Sequence, residues 1–263
     1  LLHVNSHSPL SAWPDDLKYI SDESYETLLI AHEEEVNFHL AMQYLCFTQL
    51  IEVKRKAKEH GVLIKGDLPI LISPNSSDVW FHSEFFNLDT QVGAPPDTYC
   101  PEGQNWGFPG LQWSVIKKSK FLWWKERLAY ADNFYDLYRV DHAVGLFRLW
   151  SIPLGADSKS GHYNPLDENL WGPHGREILT MFLNTSSMLP LAEDLGLVPN
   201  IVREVLCELG IPGTKVMRWE KDWNEEYLDM ILSVKVVDNT KHFLFRSFFQ
   251  NGDRKSTRLN SSH

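Results

Sequence analysis

The apolar positions of this chain change period along its length, and the changes mark its elements. Over residues 24–60, Tyr25, Leu28, Leu29, His32, Val36, Leu40, Tyr44, Phe47 and Ile51 fall near a helical repeat, and Gly61 ends the run. One long helix is expected there. Lys54-Arg55-Lys56-Ala57-Lys58 lies in its last turns, where cations suit the helix dipole, and reads as a solvated face. Val62-Leu63-Ile64 reads as a strand that Gly66-Asp67-Leu68-Pro69 ends in a turn before Ile70-Leu71-Ile72. Residues 119–133 read as a helix with Ser119 as N-cap and Phe121, Trp124, Leu128 and Ala131 on one face. Residues 134–141, 189–193 and 213–219 read as strands, and 175–184 and 199–209 as helices, the second opened by Pro199 and closed by Gly210.

Between these elements the pattern breaks down. Residues 1–22 are polar and punctuated by proline, and 153–172 are rich in loop formers. Residues 74–113 are irregular and rich in Gly, Pro, Asn and Asp. About 40 structureless residues are rare in a compact domain unless they have a role, so this stretch is expected to wall a functional site. Strands alternating with helices indicate an α/β fold with a parallel sheet and helices outside. The length of 263 residues and carboxylates at strand ends favour a (β/α)8 TIM-type barrel over a doubly wound sheet, for which no glycine-rich phosphate turn is present. Residues 1–250 are expected to be a partial catalytic barrel with the inserted loop at about 74–113. The polar, aperiodic residues 251–263 read as a non-native tail. The opening Leu1-Leu2-His3-Val4 lacks Met and a charged leader region, so the chain reads as an incomplete fragment and not as a secretory precursor.

Charge narrows the partners. A net charge of −10 disfavours nucleic acid and anionic membrane surfaces. No apolar run approaches the roughly 20 residues of a membrane span. Cys46, Cys100 and Cys207 are far apart and lack metal-type spacing, which suits reduced thiols in a cytoplasmic protein. Ten Trp, 14 Phe and 9 Tyr are enough to supply flat surfaces for sugars, although most such rings are expected in the core.

The chemistry concentrates at two strand ends. Tyr138-Arg139-Val140-Asp141-His142 closes one, and Leu189-Pro190-Leu191-Ala192-Glu193-Asp194 closes another. Side chains alternate along a strand, so Arg139 and Asp141 share a side. The guanidinium is expected to lower the Asp141 pKa, leaving an anion able to attack an anomeric carbon; the alternative is a structural Arg–Asp pair. Glu193, among apolar neighbours, is expected to have a raised pKa that suits a proton donor; the alternative is a residue that starts the next helix. Two such carboxylates are what glycosidic-bond chemistry uses.

Ordered motifs then add a resemblance. Lys65-Gly66-Asp67-Leu68-Pro69-Ile70, Asn75-Ser76-Ser77-Asp78-Val79-Trp80, Gly93-Ala94-Pro95-Pro96-Asp97, Gly103-Gln104-Asn105-Trp106-Gly107-Phe108-Pro109 and the two strand-end segments resemble glycoside hydrolase family 77 over residues 25–225. This is the amylomaltase or disproportionating-enzyme type of 4-α-glucanotransferase. The resemblance implies an α-amylase-like barrel with helical insertions. It also implies retaining transfer of α-1,4-glucan segments between malto-oligosaccharides in glycogen, starch or maltose metabolism, with no cofactor and no metal. Asp141 would be the nucleophile and Glu193 the general acid/base. Arg139 would hold Asp141, Trp106 would border the acceptor sites, and Gln104, His142, Asp97 and Asp67 are further substrate-side candidates, although Asp67 and Asp97 could equally order their own loops. The family's third carboxylate, in a Thr-His-Asp segment, has no counterpart in this sequence, so the chain alone is expected to be inactive or poorly folded. A retaining α-glucan hydrolase on the same residues and a non-catalytic glucan-binding fragment are the competing readings.

Overall fold

The computed structural model describes residues 8–98 and 100–216. The helices are α1 (Asp15–Lys18), α2 (Asp22–Ala31), α3 (Glu33–Glu59), α4 (Ser77–Phe81), α5 (Trp113–Lys118), α6 (Leu122–Asp132), α7 (Trp171–Thr185) and α8 (Asn200–Glu208). The strands are β1 (Lys65–Leu68), β2 (Phe86–Ala94), β3 (Gln104–Leu111), β4 (Leu137–Val140), β5 (Leu149–Pro153), β6 (His162–Asn164) and β7 (Leu189–Ala192).

Three strands form a parallel sheet in the order β1-β4-β7, with a further parallel bridge from Ala192 to Gly213. Consecutive parallel strands lying side by side, with helices between them in sequence, form part of a (β/α) barrel wall. Pro190 fits inside β7 because of the ladder's alternation. The Leu189 and Glu193 amides bond toward β4 and the Ala192 amide toward Pro212, so the ring costs a bond only on the Pro212 side. Helix α7 buries Trp171, His174, Gly175, Ile178, Leu179 and Phe182, one stripe at helical spacing, against α6, α8 and β7. Trp124, Tyr138, Phe147 and Phe182 are the largest fully enclosed side chains of this core.

Loops following β1 and β4 build a second sheet. It is antiparallel, in the order β3-β2-β5-β6. The stretch expected to be a structureless excursion therefore holds the hairpin β2–β3. Its glycines and asparagines serve bulges within strands as well as turns. At Gly93 a Cβ would lie 1.8 Å from the Gln104 carbonyl oxygen, so the irregular pairing there admits only glycine.

Other expectations shift in detail. The strand after Gly61 is not Val62-Leu63-Ile64; it is β1, and Gly66 and Asp67 lie within it because the pairing with β4 starts at Lys65. The helix expected over 24–60 divides at His32, where Glu33, Glu34 and Glu35 supply a new acidic first turn. Its apolar face is not buried: no residue of α2 or α3 is fully enclosed, and its ring contacts to the rest of the fold are Tyr25 against Phe81 and Phe47 against Tyr130 and Phe134. Lys54 is not merely solvated, since its ammonium donates to the Asp132 and Tyr135 carbonyls at 2.6 and 3.0 Å, at and just past the end of α6. Ser119 does not open a helix. It closes α5, and α6 starts after Phe121 in a left-handed conformation, φ 61. The three cysteines are free thiols. Among the described residues no helix is long and apolar enough to cross a membrane. The end of the strand expected over 213–219 and the tail 251–263 lie outside the described residues.

Candidate active site

Asp141 and Glu193 are each the first residue past a parallel strand, and the ladder still holds them. The Asp141 amide donates to Leu68 O at 3.2 Å and the Glu193 amide to Val140 O at 3.0 Å. Register sets Asp67 beside Arg139 and Arg139 beside Leu191. Alternation then brings the side chains of Asp67, Arg139, Asp141 and Glu193 to one side, at the carboxyl ends of the strands.

The Arg139 guanidinium is the hub. Its Nη1 donates to both Asp67 oxygens at 3.1 and 3.2 Å. Its Nη2 reaches Asp141 Oδ1 at 2.6 Å and Glu193 Oε2 at 2.8 Å. Because those two oxygens share one nitrogen, they lie within the sum of the two distances of each other, inside the ~5–5.5 Å carboxyl spacing of retaining glycosidases. Glu193 Oε2 also accepts the His142 backbone N–H at 2.9 Å.

Both pKa expectations are reversed. Burial, then the hydrogen bond to Glu193, pushes Asp141 above the usual carboxylate range, and Arg139 only partly offsets them. Burial pushes Glu193 up as well. The His142 amide, the Asp141 hydrogen bond and Arg139 together outweigh it and leave Glu193 below its ordinary value. The sequence argument assigned Arg139 to Asp141 alone and could not see the amide donor from a turn. The two carboxyls are therefore shifted in opposite directions, Asp141 toward its protonated form and Glu193 toward its anion. Glu193 also does not start a helix, since α8 begins only at Asn200.

The remaining candidates divide. His142 stands in a left-handed conformation, φ 47, and burial lowers its imidazole pKa to about 4, so the ring is neutral near pH 7. Strand β3 carries Trp106 to it, edge to face, with centroids 4.9 Å apart. Gln104 Oε1 accepts the Trp106 indole N–H at 2.9 Å. Asp97 orders the β2–β3 connection, where its carboxylate accepts the Cys100 amide at 2.6 Å. Of the eight described tryptophans, Trp13, Trp123, Trp124 and Trp171 are buried and the other four half-buried, in keeping with a mainly structural role. Sequence reasoning gave no role to two supports of the site. Arg148 lies over Tyr163 and Trp171 at 3.9 and 4.6 Å and donates to Leu197 O, tying the antiparallel sheet to the segment after Glu193. Asp194, 8% exposed, accepts the Thr214 amide at 2.8 Å and so fixes the chain just past Glu193. Among the described residues no group of three or more His, Cys, Asp or Glu is arranged to hold a metal ion.

Known proteins match this chain in sequence and in fold. The model of glycoside hydrolase family 77, described as 4-alpha-glucanotransferase, matches residues 1–241, a wider span than the motifs implied. The chain is 45% identical over 224 residues to the 4-alpha-glucanotransferase of Chlamydia pneumoniae, covering 85% of this chain and 42% of that protein. It is 32% identical over 222 residues to that of Thermus thermophilus, covering 81% and 43%. Amylomaltase from Streptococcus agalactiae in complex with acarbose superposes with a TM-score of 0.74 at 28% identity, over 83% of this chain and 45% of that one. Amylomaltase from Corynebacterium glutamicum superposes with a TM-score of 0.64 at 29% identity, over 73% and 27%. The chain thus spans about two fifths of the length of these curated relatives. Agreement of sequence over nearly all the described residues with agreement of fold leaves one assignment: the chain belongs to the 4-alpha-glucanotransferase family, glycoside hydrolase family 77.

Proposed function

We propose that the chain carries the nucleophile and the acid/base of a retaining 4-α-glucanotransferase acting on α-1,4-glucans and malto-oligosaccharides. The observation that supports this most is the single Arg139 nitrogen shared by Asp141 and Glu193 at the ends of adjacent parallel strands. In this reading a glucan displaces the free-site hydrogen bonds, and the bound site reacts with Asp141 ionised and Glu193 protonated. An Asp141 oxygen attacks the anomeric carbon as Glu193 protonates the departing 4-oxygen. The 4-hydroxyl of a second glucan then gives its proton to Glu193, attacks the same carbon and releases Asp141. Two inversions retain the α linkage. Arg139 balances charge throughout, Asp67 orients Arg139, and Trp106 with Gln104 borders the acceptor.

The reading extends to a complete (β/α)8 barrel in the parent protein, to residues 1–250 as its partial catalytic portion and to a cytoplasmic location. No Thr-His-Asp segment occurs in the 263 residues, so turnover is expected only from a chain that supplies one. Maltotriose assays of the longer parent test this. Glucose plus longer oligomers at constant total reducing ends supports transfer. Rising reducing ends indicate hydrolysis. Glucan binding without turnover, retained in Asp141→Asn, indicates a binding protein and refutes the proposal.

A further inference from the structure

The turn after β4 grips Glu193 at two points. The His142 N–H donates to Glu193 Oε2 at 2.9 Å and the Ala143 N–H to the Glu193 backbone carbonyl at 3.1 Å. Successive amides converge on one residue because His142 is left-handed, φ 47, a conformation that disfavours residues with a side chain. Such strain persists only where the surroundings over-determine it. Here they do so from two sides. The Gly145 N–H donates to the His142 carbonyl at 2.8 Å, and a Cβ at Gly145 would come within 2.8 Å of His142 Cδ2, so the imidazole lies directly over that glycine. From the other sheet the Trp106 ring meets the imidazole at 86°, itself tethered by Gln104.

We propose that Trp106 is a positioning residue for Glu193: its ring holds the His142 imidazole over Gly145 and so keeps the turn in the conformation that presents both amides to Glu193. The consequence for proton transfer rests on the catalytic reading of Glu193; the positioning itself does not. The groups that face the carboxylate are Arg139, Asp141 and the His142 ring, with Asp67 acting through Arg139 and Arg148 acting on the imidazole. The imidazole stays uncharged down to about pH 4, so its contact with Trp106 does not switch in the neutral range.

The test needs no turnover, so its failure is distinct from failure of the catalytic reading. The side-chain carboxyl 13C resonance of Glu193 is titrated in the longer parent protein in an Asp141→Asn background, which removes the coupled carboxyl, and is assigned by its loss in Glu193→Gln. Trp106→Ala is expected to raise the Glu193 midpoint by about 0.5–1 pH unit, because the charged form loses a donor. Trp106→Phe, which keeps an aromatic edge, is expected to bring the midpoint most of the way back to its value with Trp106. His142→Gly, for which φ > 0 is free of strain, is expected to make Glu193 indifferent to Trp106→Ala. An unmoved midpoint in Trp106→Ala with native circular dichroism overturns the proposal, as does an equal shift in the His142→Gly background. If the alanine variant loses native dichroism, Trp106→Leu, which fills space without an aromatic edge, is judged by the same two criteria.

Discussion

Replacing Arg139 by Met removes the cation and keeps most of the volume, and its cost follows from the geometry. Four oxygens of three carboxylates lie around the guanidinium, the closest at 2.6 Å from Asp141 and 2.8 Å from Glu193. A hydrogen bond between charged groups contributes about 1.5–3 kcal/mol when enclosed, and an exposed pair only about 0.2–1 kcal/mol. Arg139 is 35% exposed and Asp67 53%, so the Asp67 pair counts at the surface value. Asp141 and Glu193, 38% and 24% exposed, count at about 1 kcal/mol each after screening. The expected loss at pH 7 is about 2–3 kcal/mol. Without Arg139 the Asp141 pKa, already pushed up by burial and by Glu193, is expected to rise further, and any proton it takes limits the loss. Arg139 favours the ionised carboxylates, so its contribution is present above their unfolded pKa values near 4 and disappears as they protonate. Urea unfolding followed by tryptophan fluorescence, at pH 7 and again at pH 3.5, measures both. A loss below about 1 kcal/mol at pH 7, or an equal loss at the two pH values, refutes the account of Arg139 as the charge that stabilises the cluster.

Three further outcomes are expected. Gly175→Ala sets a Cβ 2.3 Å from the enclosed Phe147 ring and is expected to cost about 1–3 kcal/mol; an unchanged urea midpoint contradicts this. Asp194→Ala leaves the Thr214 amide without its carboxylate and is expected to cost about 1–3 kcal/mol and to speed hydrogen exchange at Thr214; unaltered exchange there argues against the contact. Burial lowers the pKa values of His142 and His174 to about 4, so the folded state binds fewer protons than the unfolded chain between pH 6.5 and 4. Stability is therefore expected to fall as pH drops through that window, and imidazole NMR signals that titrate near 6.5 in the folded chain speak against it.

Local pattern was enough to find β4, β7 and the two carboxylates at their ends, whereas β1 starts three residues later than expected. A strand buried on both faces reads as an apolar run, and alternation alone places Arg139 with Asp141. What local pattern could not reach was anything set by partners distant in sequence. The hairpin β2–β3 has a composition that mimics a loop because bulges and turns use the same residues. The division at His32 lies within an unbroken apolar repeat. The opposite shifts of Asp141 and Glu193 depend in part on a backbone amide, delivered by a histidine whose left-handed conformation no periodicity encodes. Asp97 belongs to a matching segment, and its carboxylate accepts the Cys100 amide in the β2–β3 connection, a contact that no motif announces.

The antiparallel sheet joins polypeptide from two separate insertions, since β2 pairs with β3 on one edge and with β5 on the other. Neither insertion can then diverge freely. A substitution that alters the twist of β2 is felt by β5, and through it by the ground beneath Arg148 and Leu197. Anyone transplanting the tryptophan-bearing hairpin into a cousin to retune it must carry the 149–164 ribbon along as well, because the graft and its bed are a single fabric.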